Sequence, residues 1–430
     1  MNIKSLILGS AAAIVAVGSA QAADLPVAEP VDYVRVCDAY GAGYFFIPGT
    51  DTCLKISGSV LFAVDSHGFM RETSDLPAGD RSASYDRGED LINFYTETNI
   101  TFDAKEETEL GTLAAHVELD SSVSGSGGTD DDAADIAIDK AYLTLGGFYA
   151  GITDSLINFN AGYGYDDFAF DHGDLNAIGY HADMGNGVTA SIALEEFTGN
   201  PASDSYDAAP VVGFSDDNAN GVQDAGEADI VGTATNTVNA AAGTSMPALA
   251  ARVKVSQGWG EAQIGGAVFQ VRYNDPSFST DMGYSIGGKA LFNIAEGLKF
   301  GIAGGYSLGG VLPASETFTF ADRSVFTARS AVAGTLNAGW AISTGLEYAF
   351  ADNFTVYADA GIEGFDDRTI TNADAQVWGT SLKLAYVPVK HLSISGKVGY
   401  QKVDYSSNIN ATGHKDWDAV AARLEIERTF

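Results

Sequence analysis

Charged residues with the potential to act on ions fall into two groups. Acids are concentrated in the stretch "SLINFNAGYGYDDFAFDHGDL", from Ser155 to Leu175, and the residue before it; they are Asp154, Asp166, Asp167, Asp171 and Asp174. Basic residues are spread through segments of alternating apolar and polar residues, at Arg252, Lys254, Lys289, Lys299, Lys383, Lys397 and Arg423. Fixed charges such as these attract or repel ions without any bond being broken. A solvated acidic loop is the alternative interpretation of the first group.

A set of oxygen ligands lies in "DDNANGVQDAGE", from Asp216 to Glu227. The spacing fits a twelve-residue calcium loop, with ligands from Asp216, Asn218, Asn220, Asp224 and Glu227 and from the backbone carbonyl of Val222. Gln223 replaces an apolar residue, and no amphipathic helices flank the loop, which argues against a helix–loop–helix site. The sequence therefore predicts calcium binding in a surface loop, with an acidic loop that binds no metal as the alternative.

Histidines offer little support for catalysis. The chain has six, including His116 and His181 at polar positions of alternating segments. Neither a nucleophile elbow nor a metal-binding spacing of histidines occurs. We expect no enzymatic activity; an outer-membrane β-barrel enzyme, with a dyad assembled across strands, is the first alternative function.

Alternating segments must hold these charges in place. From Leu336 to Phe350, apolar side chains such as Trp340 and Ile342 share one side of an extended chain, and Ser343 and Glu347 share the other. The pattern recurs from Lys55 to Phe430, and we count about sixteen strands, the even number typical of bacterial membrane barrels. Short turns such as Gly146-Gly147 exchange with long polar connections such as Phe197 to Ser245.

These features predict an all-β fold: a transmembrane up-and-down antiparallel β-barrel with short periplasmic turns and long extracellular loops. Lipid offers no hydrogen bonds to the backbone, so the sheet must close, and the last strand, "LEIERTF", is expected to pair with the first, Lys55 to Asp65. A barrel this wide encloses water rather than a packed core. A secreted calcium-binding β-rich adhesin is the second alternative.

Composition and the N-terminal region set the compartment. The net charge of -34 is unsuited to nucleic acid, which requires a basic surface. Residues 1–22 read as a secretory signal peptide, because Lys4 precedes an apolar stretch too short to span a bilayer. We therefore expect export through the Sec pathway, an N-terminal periplasmic segment over residues 23–54 and a barrel over residues 55–430. With only two cysteines, Cys37 and Cys53, a disulfide is favoured over two free thiols.

The stretch "YVRVCDAYGAGYFFIPGTDTCLKISG", from Tyr33 to Gly58, and the leader "MNIKSLILGSAAAIVA" resemble the general porins of alphaproteobacteria, of the Rhizobiales type. The resemblance implies a bacterial outer-membrane channel, homotrimeric and sixteen-stranded, for ions and small hydrophilic solutes. It also implies a bridge between Cys37 and Cys53, and a C-terminal aromatic, Phe430, that is part of the assembly signal. The resemblance further implies contacts with outer-membrane lipid, lipopolysaccharide and the assembly machinery.

In this family the third long loop folds into the lumen and narrows it. Barrel and resemblance together predict that residues 155–175 form this constriction and that the acids of the first group face the basic residues of the strands. Because acids outnumber bases by 57 to 23, we expect a modest cation preference. No cofactor is required for such passive diffusion.

Overall fold

The structure, a computed structural model, describes residues 35–72, 92–124, 136–161, 170–197, 205–207, 211–214, 229–232, 235–237, 245–273, 279–310, 331–332, 335–366, 374–405 and 416–430. Two compact units divide the chain, Met1–Leu54 and Lys55–Phe430. The predicted signal peptide, residues 1–22, lies outside the described residues.

Sixteen long strands form the main sheet. In chain order they are β1 (Cys53–Glu72), β2 (Ile92–Thr108), β3 (Gly111–Ser124), β4 (Ile136–Leu145), β5 (Phe148–Asp154), β6 (Asp174–Gly185), β7 (Val188–Glu195), β8 (Ala248–Gln257), β9 (Gly260–Val271), β10 (Asp281–Ala295), β11 (Leu298–Leu308), β12 (Ala338–Ala351), β13 (Phe354–Asp366), β14 (Asp374–Val389), β15 (Leu392–Tyr405) and β16 (Trp417–Thr429).

Each strand pairs with its sequence neighbours, and β16 returns to pair antiparallel with β1, in the register Ser59 to Thr429. The sheet is therefore closed, and every strand has two partners. The predicted antiparallel barrel of about sixteen strands is confirmed. Closure also explains why so many strands can present an apolar side, since no unpaired strand edge is left.

The two faces of the sheet follow the alternation of the sequence. Large apolar side chains at outward positions are exposed; they include Ile192, Ile264, Ile342, Leu382 and Val398. Inward positions on the same strands carry small or polar side chains that are buried within the barrel, including Ser343, Ser381 and Gln401. An apolar outside and a polar inside are the arrangement that a barrel needs in a membrane.

Connections at the two ends of the barrel differ in length. At one end, two-residue turns join consecutive strands at 109–110, 146–147, 186–187, 258–259, 296–297, 352–353 and 390–391. Asn186 and Gly187 have φ values of 54° and 75°, the left-handed pair that a tight hairpin of this twist requires. Connections at the other end are longer. Short strand pairs in them are Asn158–Phe159 with Phe170–Asp171, Ser205–Asp207 with Thr235–Thr237, Val211–Phe214 with Asp229–Gly232, and Ala331–Val332 with Thr335–Leu336.

The unit before the barrel has its own small core. A 3-10 helix, Asp38–Tyr40, precedes the strand Phe45–Phe46, which pairs with Cys53 and Leu54. The predicted disulfide between Cys37 and Cys53 is present, and both cysteines are buried with Tyr44. A bridge that closes a loop of this length stabilises the fold by roughly 3 kcal/mol, mainly by restricting the unfolded chain.

None of the helical segments in the described part of the chain has the length and hydropathy of a membrane-spanning helix.

Candidate functional site

The third loop, residues 155–173, connects β5 to β6, and the structure describes its residues 155–161 and 170–173. Asn158–Phe159 pairs antiparallel with Phe170–Asp171, so the loop leaves and returns as a two-stranded ribbon. Gln263, at an inward position of β9, donates from Nε2 to the backbone carbonyl of Asn158 at 3.4 Å. The ribbon therefore lies against the inner face of the barrel.

A buried carboxylate on β7 holds the first residues of the third loop. Glu195 is 1% exposed. It accepts hydrogen bonds from the Ser155 hydroxyl at 2.8 Å and from the Leu156 backbone N–H at 2.7 Å. Ser155 Oγ in turn accepts from the Ile157 backbone N–H at 3.0 Å. Both carboxylate oxygens of Glu195 are thus satisfied by the loop, which is the condition for burying such a group at tolerable cost.

His172 holds the returning end of the loop. Its Nε2 lies 2.8 Å from Ser285 Oγ on β10, which is 2.9 Å from Ser307 Oγ on β11. The imidazole stacks on Phe197, with ring centroids 3.8 Å apart, and meets the edge of Phe269. Burial among these groups lowers the pKa of His172 to about 3. The ring is therefore neutral near pH 7.

Two aromatic side chains pack the loop against the wall. Phe159 and Phe170 are almost completely buried. A Cβ built on Gly287 of β10 would overlap the ring of Phe159, and one on Gly305 of β11 would overlap that of Phe170. These glycines leave space on the inner wall because they have no side chain. The described part of the loop thus presents an apolar side to β9–β11, which its acidic composition did not suggest.

The predicted acids of the loop are placed in part. Asp166 and Asp167 lie outside the described residues. Asp154 ends β5 and Asp174 begins β6, and their Oδ1 atoms lie 3.0 Å and 4.0 Å from Lys140 Nζ. Asp171 accepts a hydrogen bond from the Gly173 backbone N–H at 2.8 Å. The role of these acids at a constriction stays a prediction.

Three of the predicted basic residues come together in one cavity of about 340 Å³. Arg252 and Lys254 of β8 and Lys289 of β10 line it with Asp154 and Glu261, and two residues of the third loop are among the other lining residues. Lys254 Nζ is 2.5 Å from one carboxylate oxygen of Glu261, and Lys289 Nζ is 3.9 Å from the other. The fold therefore brings Asp154 into the same space as three bases that lie far from it in sequence.

A second basic group lies on β14, β15 and β16. Arg423 forms a bidentate pair with Asp65 of β1, with Nε–Oδ1 at 2.5 Å and Nη2–Oδ2 at 2.8 Å. Lys383 Nζ donates to Glu425 at 2.7 Å. Lys397 faces Lys383 in the register of β14 and β15 and is buried. These inward charges form a network across the seam where the last strand meets the first.

Lys299 of β11 is apart from both groups and pairs with Glu347 of β12 at 2.9 Å. In the cavity, in the group on β14–β16 and at Lys299, basic residues thus have carboxylates on the same or neighbouring strands beside them. The inner wall carries mixed charge, whereas the sequence alone suggested basic strands facing an acidic loop. The part that the seven basic residues play in selectivity stays a prediction.

A row of acids on β2–β4 was missed by the sequence analysis; its members are Glu97, Asp103, Glu118, Asp120 and Asp139. Asn99 Nδ2 donates to Glu118 and Asp120 at 2.5 Å and 2.6 Å. In a closed barrel of sixteen strands, β2 to β4 lie across from β10 to β12. This group of acids, which we call the acidic wall, therefore faces the part of the barrel that carries the third loop. Polar positions in the alternating pattern of β2 and β3 were the available signal.

Oxygens suited to a metal ion occur within that wall. Glu118, Asp120 and Asp139 each offer one oxygen, and these lie within 4.8 Å of one another. Hard cations accept such oxygen ligands, and Asn99 donates to one oxygen of Glu118 and to one oxygen of Asp120. The predicted calcium loop, Asp216 to Glu227, lies outside the described residues.

The two histidines considered for catalysis are in separate places. His181 Nδ1 is 2.8 Å from Ser191 Oγ, whereas His116 Nδ1 is 2.8 Å from Asp103 Oδ1. Among the hydrogen bonds of the described strands, neither arrangement joins a serine, a histidine and a carboxylate into one chain. The enzyme alternative is not favoured.

A closed barrel with apolar outward positions, charged inward positions and a loop held against its inner wall defines the class of outer-membrane β-barrels. A family profile described as "Porin subfamily" matches residues 24–424. The chain belongs to this porin subfamily, and the predicted resemblance is confirmed.

Relatives with similar sequences are porins of Brucella. The chain is 42% identical over 220 residues to the porin Omp2a of Brucella ovis, a match that covers 46% of this chain and 60% of that porin. It is 41% identical over 211 residues to the porin Omp2b of Brucella canis, covering 46% of this chain and 54% of that porin. Each match spans less than two thirds of the relative.

Solved structures share the fold at low sequence identity. The outer membrane channel DcaP of Acinetobacter baumannii superposes with a TM-score of 0.63 at 17% identity, covering 90% of this chain and 99% of that one. OmpF of Salmonella typhi, in complex with daunomycin, gives a TM-score of 0.53 at 11% identity, covering 88% and 98%. Membership of the porin subfamily locates the chain in the bacterial outer membrane.

Proposed function

We propose that the chain forms a water-filled channel for the passive diffusion of ions and small hydrophilic solutes. The observation that carries the proposal is the placement of charged side chains at inward positions of a closed barrel, as in the network of Arg423, Asp65, Lys383 and Glu425. A lysine or arginine facing lipid at mid-membrane would cost about 2–4 kcal/mol. Sixteen strands also enclose more space than side chains can fill.

A modest cation preference at low ionic strength is part of this proposal. Its support is the excess of 57 acids over 23 bases and the acidic wall on β2–β4, which includes Glu118 and Asp120. Carboxylates near the path of an ion raise the local concentration of cations and repel anions. Salt screens these fields, so the preference should weaken as ionic strength rises.

Homotrimer formation is a further part of the proposal. Porin subfamily membership supports it. Contacts with outer-membrane lipid, lipopolysaccharide and the assembly machinery, and export through the Sec pathway, follow from the same membership and from the proposed signal peptide. Chemical crosslinking of the native protein in outer membranes would test this proposal. If the protein is a trimer, the largest crosslinked species should contain three chains.

Planar-bilayer recording tests the channel itself. Purified, folded protein should insert in discrete conductance steps, and a KCl gradient should give a reversal potential of the sign set by cation preference. Protein unfolded by boiling in detergent is the control and should give no steps. Folded protein that never conducts would overturn the proposal, and an anion-selective reversal potential would overturn its charge selectivity alone.

Calcium binding by Asp216 to Glu227 is proposed separately, on the ligand spacing alone. Calorimetry on the purified protein should detect calcium binding that Asp216→Ala removes. Asp217→Ala is a matched control, because the neighbouring acid occupies a position that does not supply a ligand in the template. Equal heats for both variants and the wild type would contradict the site.

A further inference from the structure

Polar contacts tie the third loop to the barrel wall at both of its ends. At the outgoing end, Glu195 accepts from the Ser155 hydroxyl and the Leu156 N–H. At the returning end, His172 Nε2 lies 2.8 Å from Ser285 Oγ. All three residues that meet at the outgoing contact, Glu195, Ser155 and Leu156, are at most 2% exposed. The described ends of the loop are therefore fixed through buried groups.

Directional contacts restrict the loop more than the apolar packing does. Apolar contact depends on buried area and tolerates small displacements, whereas a hydrogen bond weakens steeply when its distance or angle changes. A displacement too small to admit water would leave the carboxylate of Glu195 without the two donors that satisfy it, and an unsatisfied buried charge is strongly unfavourable. The position against the wall should thus be preferred over slightly displaced positions.

Backbone contacts between the loop ends link the two anchors. The Ser155 N–H donates to the Gly173 carbonyl at 3.2 Å, and the His172 N–H donates to the Ile157 carbonyl at 3.0 Å. Release of one end would therefore disturb the other. Because the described ends of the loop lie inside the barrel, their position affects how much of the cross-section is left for solutes.

We propose that Glu195 and His172 are positioning residues that hold the third loop against β7–β11 and so set the width of the channel. The inference rests on the proposed channel function and deepens it by assigning the size limit to two residues. Neither belongs to the charged residues that the sequence analysis connected with the constriction.

Single-channel recording of Glu195→Ala and His172→Phe tests the proposal. His172→Phe keeps a flat ring that can stack on Phe197 but cannot bond to Ser285. Both variants should switch between current levels about tenfold more often than the wild type, and should show a broadened size limit in a series of neutral polyethylene glycols. Glu195→Gln keeps an oxygen that can accept from the Leu156 N–H, so it should restore most of the steady current.

Glu196→Ala is the matched control, because Glu196 is the next residue, is exposed and bonds to Asn176. It should behave as the wild type does. Semi-native gels verify that each variant is folded; if Glu195→Ala does not fold, His172→Phe and Glu195→Gln are compared instead. Folded anchor variants with the steady current and size limit of the wild type would overturn the proposal. A wild-type protein that does not conduct would instead refute the channel function.

Discussion

Phe430 and Gly58 exchange two backbone hydrogen bonds. The Phe430 N–H donates to the Gly58 carbonyl at 2.9 Å, and the Gly58 N–H donates to the Phe430 carbonyl at 3.1 Å. These bonds extend the pairing of β16 with β1 to the final residue of the sequence. The ring of Phe430 is exposed, so the backbone of this residue serves closure and its side chain is available for another role.

Replacement of Phe430 by alanine separates those roles. Phe430→Ala keeps the backbone bonds, and we expect it to refold in detergent to a barrel with normal heat-modifiable migration. Its amount in the outer membrane of cells should fall several-fold, because the family resemblance assigns the ring to the assembly signal. Membrane fractionation measures the amount, with Thr429→Ala as the control. Normal assembly of Phe430→Ala would refute the signal role.

The pair of Arg423 and Asp65 should contribute strongly to stability. The two side chains are 15% and 4% exposed, and removal of one partner of a buried ion pair typically costs about 3–5 kcal/mol. Arg423→Gln should therefore lower the temperature at which the folded band disappears from semi-native gels. Addition of Asp65→Asn should recover part of the loss, because the two residues are directly coupled.

Lys299→Gln provides the comparison for this pair. Its side chain is 43% exposed beside Glu347, and exposed ion pairs contribute only about 0–1 kcal/mol. We expect a nearly unchanged melting temperature. Equal destabilisation by Lys299→Gln and Arg423→Gln would contradict the prediction that the buried pair contributes more to stability than the exposed pair.

The fold could be predicted because its signal is local. Alternation such as that around Ile342 and Ser343 specifies strand and facing, and Asn186-Gly187 specifies a hairpin; closure then follows from the absence of hydrogen-bonding partners in lipid. The site was less accessible to sequence reasoning. Which strands face each other across the lumen depends on the closed topology. The sequence alone therefore could not show that the acids of β2–β4 lie opposite the third loop.

The anchoring of the third loop was also hidden. Glu195 and His172 are single polar residues whose partners lie far away in sequence, 113 residues in the case of His172 and Ser285. Such contacts leave no periodic pattern. Similarly, Gly305 is one of many glycines, and only the structure shows that it makes room for Phe170.

Charge neutralisation on the acidic wall should reduce cation preference. Glu118→Gln together with Asp120→Asn removes two negative charges at inward positions of β3, while each new amide can still accept from Asn99. The reversal potential in a KCl gradient should shift toward zero, and the shift should be larger at low salt. Glu296→Gln, in a two-residue turn, is the control. An unchanged potential would exclude this wall from ion selection.

Acid should weaken the anchor at His172. Burial lowers the pKa of His172 to about 3 in the anchored loop, whereas an exposed histidine titrates near 6.5. Between these values a released loop binds a proton that the anchored loop does not. The stability of the anchored state is thus fully present above about pH 6.5 and falls by roughly 1.4 kcal/mol for each pH unit below it.

Single-channel recording over the range from pH 7.5 to 5.5 measures this effect. Switching between current levels should increase about tenfold over this whole range. Phe197 and Phe269, which contact the ring, and Ser285, which lies within hydrogen-bond distance of it, do not ionise in this range. His172→Phe, which cannot bind the proton, controls for other groups, among them Asp171 beside it and Glu195 at the other anchor. An equal pH response in this variant would refute the linkage.

Spin labels at two adjacent residues of β14 test the account most directly. Leu382 occupies an outward position and is 58% exposed, whereas Lys383 points inward to Glu425. In bilayers, a nitroxide at position 382 should collide mainly with oxygen, which partitions into lipid, and one at 383 mainly with a water-soluble nickel chelate. Water access at 382 combined with exclusion of the chelate at 383 would contradict a barrel that faces lipid outside and encloses water.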